Sequence, residues 1–192
     1  MKHLSLIGLA AMAALACACS STTSSIHEHT TFSKADSLTD AYLVLSDSLL
    51  QSWNRIVGNE MDKTRTLEDL ISDLDNAQLL SDEARESFQV RIEQLEKIRF
   101  TQQTIGDTQI VEDYDLAFQS IVNDIAELAK SPGSSDPNAM FSYLQKNSFV
   151  NRMSYDSLAR SFNEFLMENK AALKDLDTST ELDAKPVFIK IK

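Results

Sequence analysis

Apolar residues recur every three or four positions along most of this chain, the spacing of one helix face. The first such stripe is Leu38, Tyr42, Leu45, Leu49, Trp53 and Ile56. It resumes at Met61 and continues to Leu74, beyond Gly58 and a polar patch at residues 59–66. Glycine inside a helix costs about 1 kcal/mol relative to alanine. The pattern therefore predicts one long helix ending near Asn76 and weakened at Gly58.

Two shorter helices are predicted next. Ser81 is a typical N-cap residue and precedes the second apolar stripe, for which Gly106 is the natural stop. A third stripe runs from Ile110 to Leu128 and ends before Pro132, which is followed by glycine. The sequence thus predicts a central pair of short helices.

The helix boundaries together predict an all-α fold. Ser33 or Ser37 is expected to cap the first helix. Asp136 and Pro137 have the order of an N-cap and a first-turn proline, and the last helix is predicted to run to about Leu176. Because the connections are short, we predict an antiparallel four-helix bundle with long, short, short and long helices. Its expected extent is residues 33–180, with a C-terminal tail at 181–192.

The beginning of the chain has the features of a bacterial lipoprotein signal. Lys2 precedes an apolar run that ends in small residues, as at a signal-peptide cleavage site. We predict a signal peptide at residues 1–18 and a Ser/Thr/His tether at 19–32, with lipidation of Cys19 or, alternatively, Cys17. The other interpretation is a secreted protein with a free cysteine. Lipidation is favoured because an exposed thiol is a liability in an oxidising compartment.

Composition argues against several functional classes. The chain carries a net charge of −11, which disfavours nucleic-acid binding. It contains no phosphate-binding loop and no zinc-protease or serine-hydrolase motif. Of its three histidines, His3 lies in the predicted signal, whereas His27 and His29 lie in the tether. We therefore predict no catalytic set, no cofactor and no metal site.

Two parts of the sequence resemble the LemA family of envelope-anchored helical-bundle proteins. The resemblance rests on Trp53, Ile56, Leu67, Leu70 and Ile71 in the first helix, and on Arg152 and the run from Tyr155 to Asn163 in the last, which includes Phe162. It implies a helical bundle attached to the membrane, and it implies no known reaction. Membership would make Trp53, Ile56, Arg152, Tyr155, Phe162 and Asn163 a core motif.

The tail combines basic and apolar residues in an acidic protein. Lys185, Lys190 and Lys192 could add about 1 kcal/mol each on an anionic lipid surface. One interpretation is therefore a membrane contact formed by these lysines and Phe188. The alternative is that Phe188 and Ile189 plug an open end of the bundle.

These observations predict a lipid-anchored, non-catalytic scaffold or adaptor of the bacterial cell envelope. It would face the periplasm or the exterior, attach to the membrane through its lipid and bind an unidentified protein partner. The alternative is a module that binds a small ligand or client at the bundle seam, near the polar patch at residues 59–66. A hydrolase is disfavoured, because no nucleophile and base are paired in the sequence.

Overall fold

The computed structural model describes residues 33–129, 137–176 and 182–189, without the side chains at 137, 138, 175 and 176. Within these ranges the regular structure is helical, which confirms the all-α fold class. The helices are α1 (Lys34–Asn76), α2 (Asp82–Lys97), α3 (Thr108–Leu128) and α4 (Pro137–Leu176). The predicted signal peptide, tether, Cys17, Cys19, His27, His29, Asp136, Lys190 and Lys192 lie outside the described residues.

Capping side chains explain where the helices begin. The Ser33 hydroxyl accepts a hydrogen bond from the Asp36 backbone N–H, and the Asp36 carboxylate accepts one from the Ser33 N–H in return. This reciprocal pair satisfies two N–H groups that a helix start leaves without partners. Ser81 caps α2 in a similar way by accepting from the Ala84 N–H. The prediction of one long first helix is confirmed, since α1 continues through Gly58.

The prediction that the second helix continues toward Gly106 is wrong, because α2 ends at Lys97. The Thr104 hydroxyl accepts a hydrogen bond from the Thr101 N–H at 2.8 Å, and so offers the backbone an alternative to the helix. Phe100 and Ile105 are buried on either side of this turn. The connection to α3 is therefore packed into the core. Its buried apolar residues resemble those of a helix, so the hydrophobic pattern does not show that the helix has ended.

Helices α1 and α4 run antiparallel to each other. The rings of Tyr42 and Phe162 lie 5.7 Å apart, and those of Trp53 and Tyr155 lie 5.8 Å apart. Farther along α1, Asn59 reaches Ser148. Increasing residue numbers in α1 thus meet decreasing numbers in α4. Helix α1 also packs against α2 and α3, and α3 packs against α4.

None of the four described helices contains a stretch that is both long enough and apolar enough to span a bilayer.

Candidate ligand-binding site

The polar patch that follows Gly58 supplies two charged residues to the protein interior. Glu60 and Lys63 continue the apolar stripe between Ile56 and Leu67 in steps of four, three and four residues. Their side chains are only 1% and 2% exposed, respectively. The helical register therefore forces a carboxylate and an ammonium group into positions that apolar residues occupy elsewhere in α1.

The Glu60 carboxylate is bound by groups from both long helices. One oxygen accepts from Lys63 Nζ at 2.8 Å, and the other accepts from the Ser148 hydroxyl at 2.9 Å and from Arg152 at 3.5 Å. The Asn59 amide donates to the same hydroxyl at 2.6 Å. We name Asn59, Glu60, Lys63, Ser148 and Arg152 the ionic segment of the α1–α4 pair.

Arg152 links this network to α3. Its guanidinium donates to both oxygens of Asp115, at 2.6 and 2.8 Å, in a bidentate pair. The same group lies 4.9 Å from the ring centre of Phe100 and 5.3 Å from that of Phe188. Arg152 therefore connects α3, α4, the loop after α2 and the C-terminal segment through one planar cation.

Lys63 is placed against two aromatic rings of α3. Its Nζ lies 5.0 Å from the centre of Phe118 and 5.9 Å from that of Tyr114. Burial lowers the pKa of Lys63 below its usual value, and the neighbouring Glu60 opposes that shift. A buried charge with a shifted pKa beside a cavity is a recognised marker of functional sites.

A cavity of about 580 Å³ adjoins this network. Its volume lies within the usual range of small-molecule sites, roughly 300–1,000 Å³. The walls combine charged and apolar side chains, including Lys63, Asp115, Leu116, Phe118, Phe149 and Arg152. The cavity thus lies beside the polar patch that the sequence analysis associated with ligand binding.

The C-terminal segment is held on α4 by paired hydrogen bonds. Asn163 donates to the Lys185 carbonyl and accepts from its N–H, at 2.9 and 2.7 Å. The buried Asp156 carboxylate accepts from the N–H groups of Phe188 and Ile189, at 2.8 and 2.9 Å.

Two residues of the proposed membrane contact fall within the described part of the tail. Phe188 is buried and packs edge-on against Phe100 and Tyr155. The ammonium of Lys185 lies over the ring of Phe162. The burial of Phe188 agrees with the packing alternative, whereas Ile189, the other residue of that alternative, is 43% exposed.

The residues that resemble the LemA motif occupy two kinds of position. Ile56, Tyr155 and Phe162 are buried in the apolar core, and Trp53 packs against it. Arg152 and Asn163 instead form the polar contacts described above.

Sequence reasoning did not single out Glu60, Lys63, Asp115 or Ser148 as site residues. The signal for the first two was present, because they lie in register with the apolar stripe of α1.

Comparison with protein-family models, curated proteins and solved structures finds no match to this chain. The residues that the structure describes contain no group of three or more His, Cys, Asp or Glu side chains suited to hold a metal ion.

Proposed function

We propose that this protein is a lipid-anchored, non-catalytic binding module of the bacterial cell envelope. In this proposal Cys19 or Cys17 carries the lipid, and a divergent, LemA-like antiparallel four-helix bundle holds a small ligand beside the ionic segment. The observation that carries the proposal is the buried Glu60–Lys63 pair, of which Lys63 lines a cavity.

The energetic cost of this pair supports a role in binding. Burying an ion pair often stabilises a protein less than apolar residues of the same volume would. The chain nevertheless has charged residues, Glu60 and Lys63, at two positions of α1 that are in register with its apolar stripe. A cavity with apolar walls and a few convergent polar groups is the usual form of a small-molecule site.

The test is a search for small ligands with the full lipidated protein in detergent. A metabolite library would be screened by melting temperature against the wild type and two variants of α3. Leu116→Trp adds bulk at the rim of the cavity, whereas Leu128→Trp makes the same change away from it. We expect at least one compound to stabilise the wild type and Leu128→Trp but not Leu116→Trp, because bound ligand raises stability by mass action. The absence of any such compound would contradict ligand binding at this cavity.

A scaffold or adaptor role is the second candidate, and exposed apolar residues on α1 favour it. Leu43, Leu50 and Met61 are each more than half exposed and lie seven and eleven residues apart, which places them near one helix face. Cross-linking in intact cells followed by mass spectrometry tests this role. One dominant partner that is lost when Leu43 and Leu50 are changed to serine would support it, and its retention would contradict docking on this face.

A further inference from the structure

Lys63, one of the residues that line the cavity, has unused hydrogen-bonding capacity. An ammonium group has three N–H donors. Among the described residues, the only hydrogen-bond acceptor of Lys63 is Glu60, and the other close neighbours of its Nζ are two aromatic rings. Because the side chain is almost completely buried, its remaining donors have little access to water.

Arg152, which also lines the cavity, carries a second unsatisfied donor. Its terminal nitrogens bind Asp115 and Glu60, but its Nε is buried and has no hydrogen-bond partner in the described part of the chain. Leaving a buried donor of a charged group unpaired costs free energy. Two such cations beside one cavity favour a ligand that brings an anionic acceptor.

The rim of the cavity has the opposite charge. Glu112 is exposed there, and the Asp115 carboxylate is 44% exposed although it binds Arg152. Leu116 and Phe149 provide exposed apolar surface beside these carboxylates. A simple anion would meet repulsion at this rim and from the net charge of −11 on the chain. A ligand that also carries a positive group would avoid that repulsion.

We propose that the cavity binds a zwitterionic amino acid or short peptide with an apolar side chain. The ligand carboxylate lies toward Lys63 and Arg152, and its ammonium group lies toward the acidic rim. Its apolar side chain packs against Leu116, Phe118 and Phe149. The inference rests on the proposed function and specifies the chemical class of its ligand.

The cavity wall carries two cations and two carboxylates, and the Glu60 carboxylate pairs with both cations, so the cluster has one negative charge more than it has positive charges. A zwitterion agrees with this excess, because it brings no further net negative charge. A dianion such as phosphate fits less well, since the Glu60 carboxylate contacts both cations and would repel it. The volume of about 580 Å³ can hold more than a single amino acid, so a dipeptide is a suitable probe.

The experiment is isothermal titration calorimetry of the full lipidated chain in detergent with three matched probes. They are the dipeptide alanyl-phenylalanine, its N-acetyl derivative and its C-terminal amide. We expect the free dipeptide to bind, and each blocked form to bind at least about tenfold more weakly, because each loses one charge-assisted contact.

A variant at the rim tests the orientation of the ligand. Glu112→Gln is expected to weaken binding of the free dipeptide severalfold and to leave binding of the N-acetyl derivative unchanged. Asp113→Asn is the matched control, since Asp113 is exposed and adjacent but is not among the residues of the cavity wall. Melting curves of both variants establish that they are folded.

The outcomes separate this inference from the proposed function. Equal or tighter binding of either blocked form overturns the zwitterion. If none of the three probes binds, the inference fails. In that case the proposed function is still supported if the metabolite screen finds a compound that stabilises the wild type but not Leu116→Trp. If the screen finds no such compound, the proposed function is contradicted as well.

Discussion

Two stretches of the same helix pair bury very different side chains. Around Trp53 and Phe162, α1 and α4 are joined by aromatic rings, which we name the aromatic segment. Immediately beyond Gly58, the ionic segment joins the same two helices through Glu60, Lys63 and their partners. The backbone is helical and antiparallel in both, so the difference lies in the side chains alone.

The aromatic residues are buried where their burial stabilises the fold. The buried charges of the ionic segment are not explained by a gain in stability. Burial of aromatic rings removes large apolar areas from water, and this gain in stability is enough to explain why the aromatic segment is buried. The ionic segment offers no such gain, because the desolvation of two charges offsets much of their attraction. Its position beside the cavity agrees with the proposed role of these charges in ligand binding.

The largest expected effect is the loss of one charge from the ionic segment. Glu60→Ala would leave Lys63 and Arg152 without their shared carboxylate, and removal of one partner from a buried pair costs about 3–5 kcal/mol. The free energy of unfolding from denaturant titration measures this effect. The double variant Glu60→Leu with Lys63→Met should recover most of the loss, because it removes both charges. A single variant as stable as the wild type would show that the pair is hydrated and not buried.

The next effect concerns Asp156, the buried carboxylate next to the aromatic segment. Asp156→Ala removes the acceptor of two backbone N–H groups and should cost about 1.5–3 kcal/mol, the range for a hydrogen bond to a charged group. Hydrogen exchange should accelerate at residues 188 and 189, which lose their acceptor. Asp183→Ala, at an exposed position of the same segment, is the control. Unchanged exchange at 188 and 189 would contradict the role of Asp156 in holding the tail.

The two segments also differ in how well the sequence predicted them. Apolar spacing was enough to predict α1, because Leu49, Trp53 and Ile56 are three or four residues apart and therefore lie on one face of a helix. The same rule identified residues 59–66 only as a polar patch at which the helix was expected to be weakened. Hydropathy does not state whether a charged residue faces solvent or a partner on another helix.

The partners that decide this question are distant in sequence. Glu60 meets Ser148 and Arg152 some ninety residues later, and Asp115 comes from a third helix. The loop after α2 was missed because Gly106 was predicted to end the helix, whereas the helix ends at Lys97 and Phe100 and Ile105 are buried in the loop. Local patterns predicted the helices, but only tertiary packing brings the candidate site together.

A smaller effect is expected at Tyr114, whose ring faces Lys63. Its buried hydroxyl makes no hydrogen bond of standard geometry among the described residues, although the Glu60 carboxylate is close enough to interact with its proton, so Tyr114→Phe should change the free energy of unfolding by less than about 1 kcal/mol. Burial raises the pKa of Tyr114 above its usual value of 10, and the charge of Glu60 and a side-chain hydrogen bond to it act in the same direction. Above that pH the unfolded chain loses the tyrosine proton while the folded protein keeps it, so stability falls as the pH rises.

The pH dependence of unfolding distinguishes the contribution of Tyr114 from that of the ionic segment. The free energy of unfolding of the wild type should fall more steeply than that of Tyr114→Phe above about pH 10. Lys63 titrates in both proteins, so its contribution largely cancels in the difference. The exposed Tyr143→Phe serves as control. Parallel curves for the wild type and Tyr114→Phe would show that the Tyr114 hydroxyl reaches water.

An effect as small as that of Tyr114→Phe is expected at Gly58, where the two segments meet. A Cβ added there would have no atom within 4 Å, so Gly58→Ala should stabilise α1 by about 0.5–1 kcal/mol. Gly106→Ala is the contrasting control, because its Cβ would approach Pro186 at 3.3 Å and should bring no such gain. Hydrogen exchange along α1 measures how the gain is distributed. Equal slowing on both sides of residue 58 is expected of one continuous helix, whereas slowing confined to the ionic segment would mean that the two segments open independently.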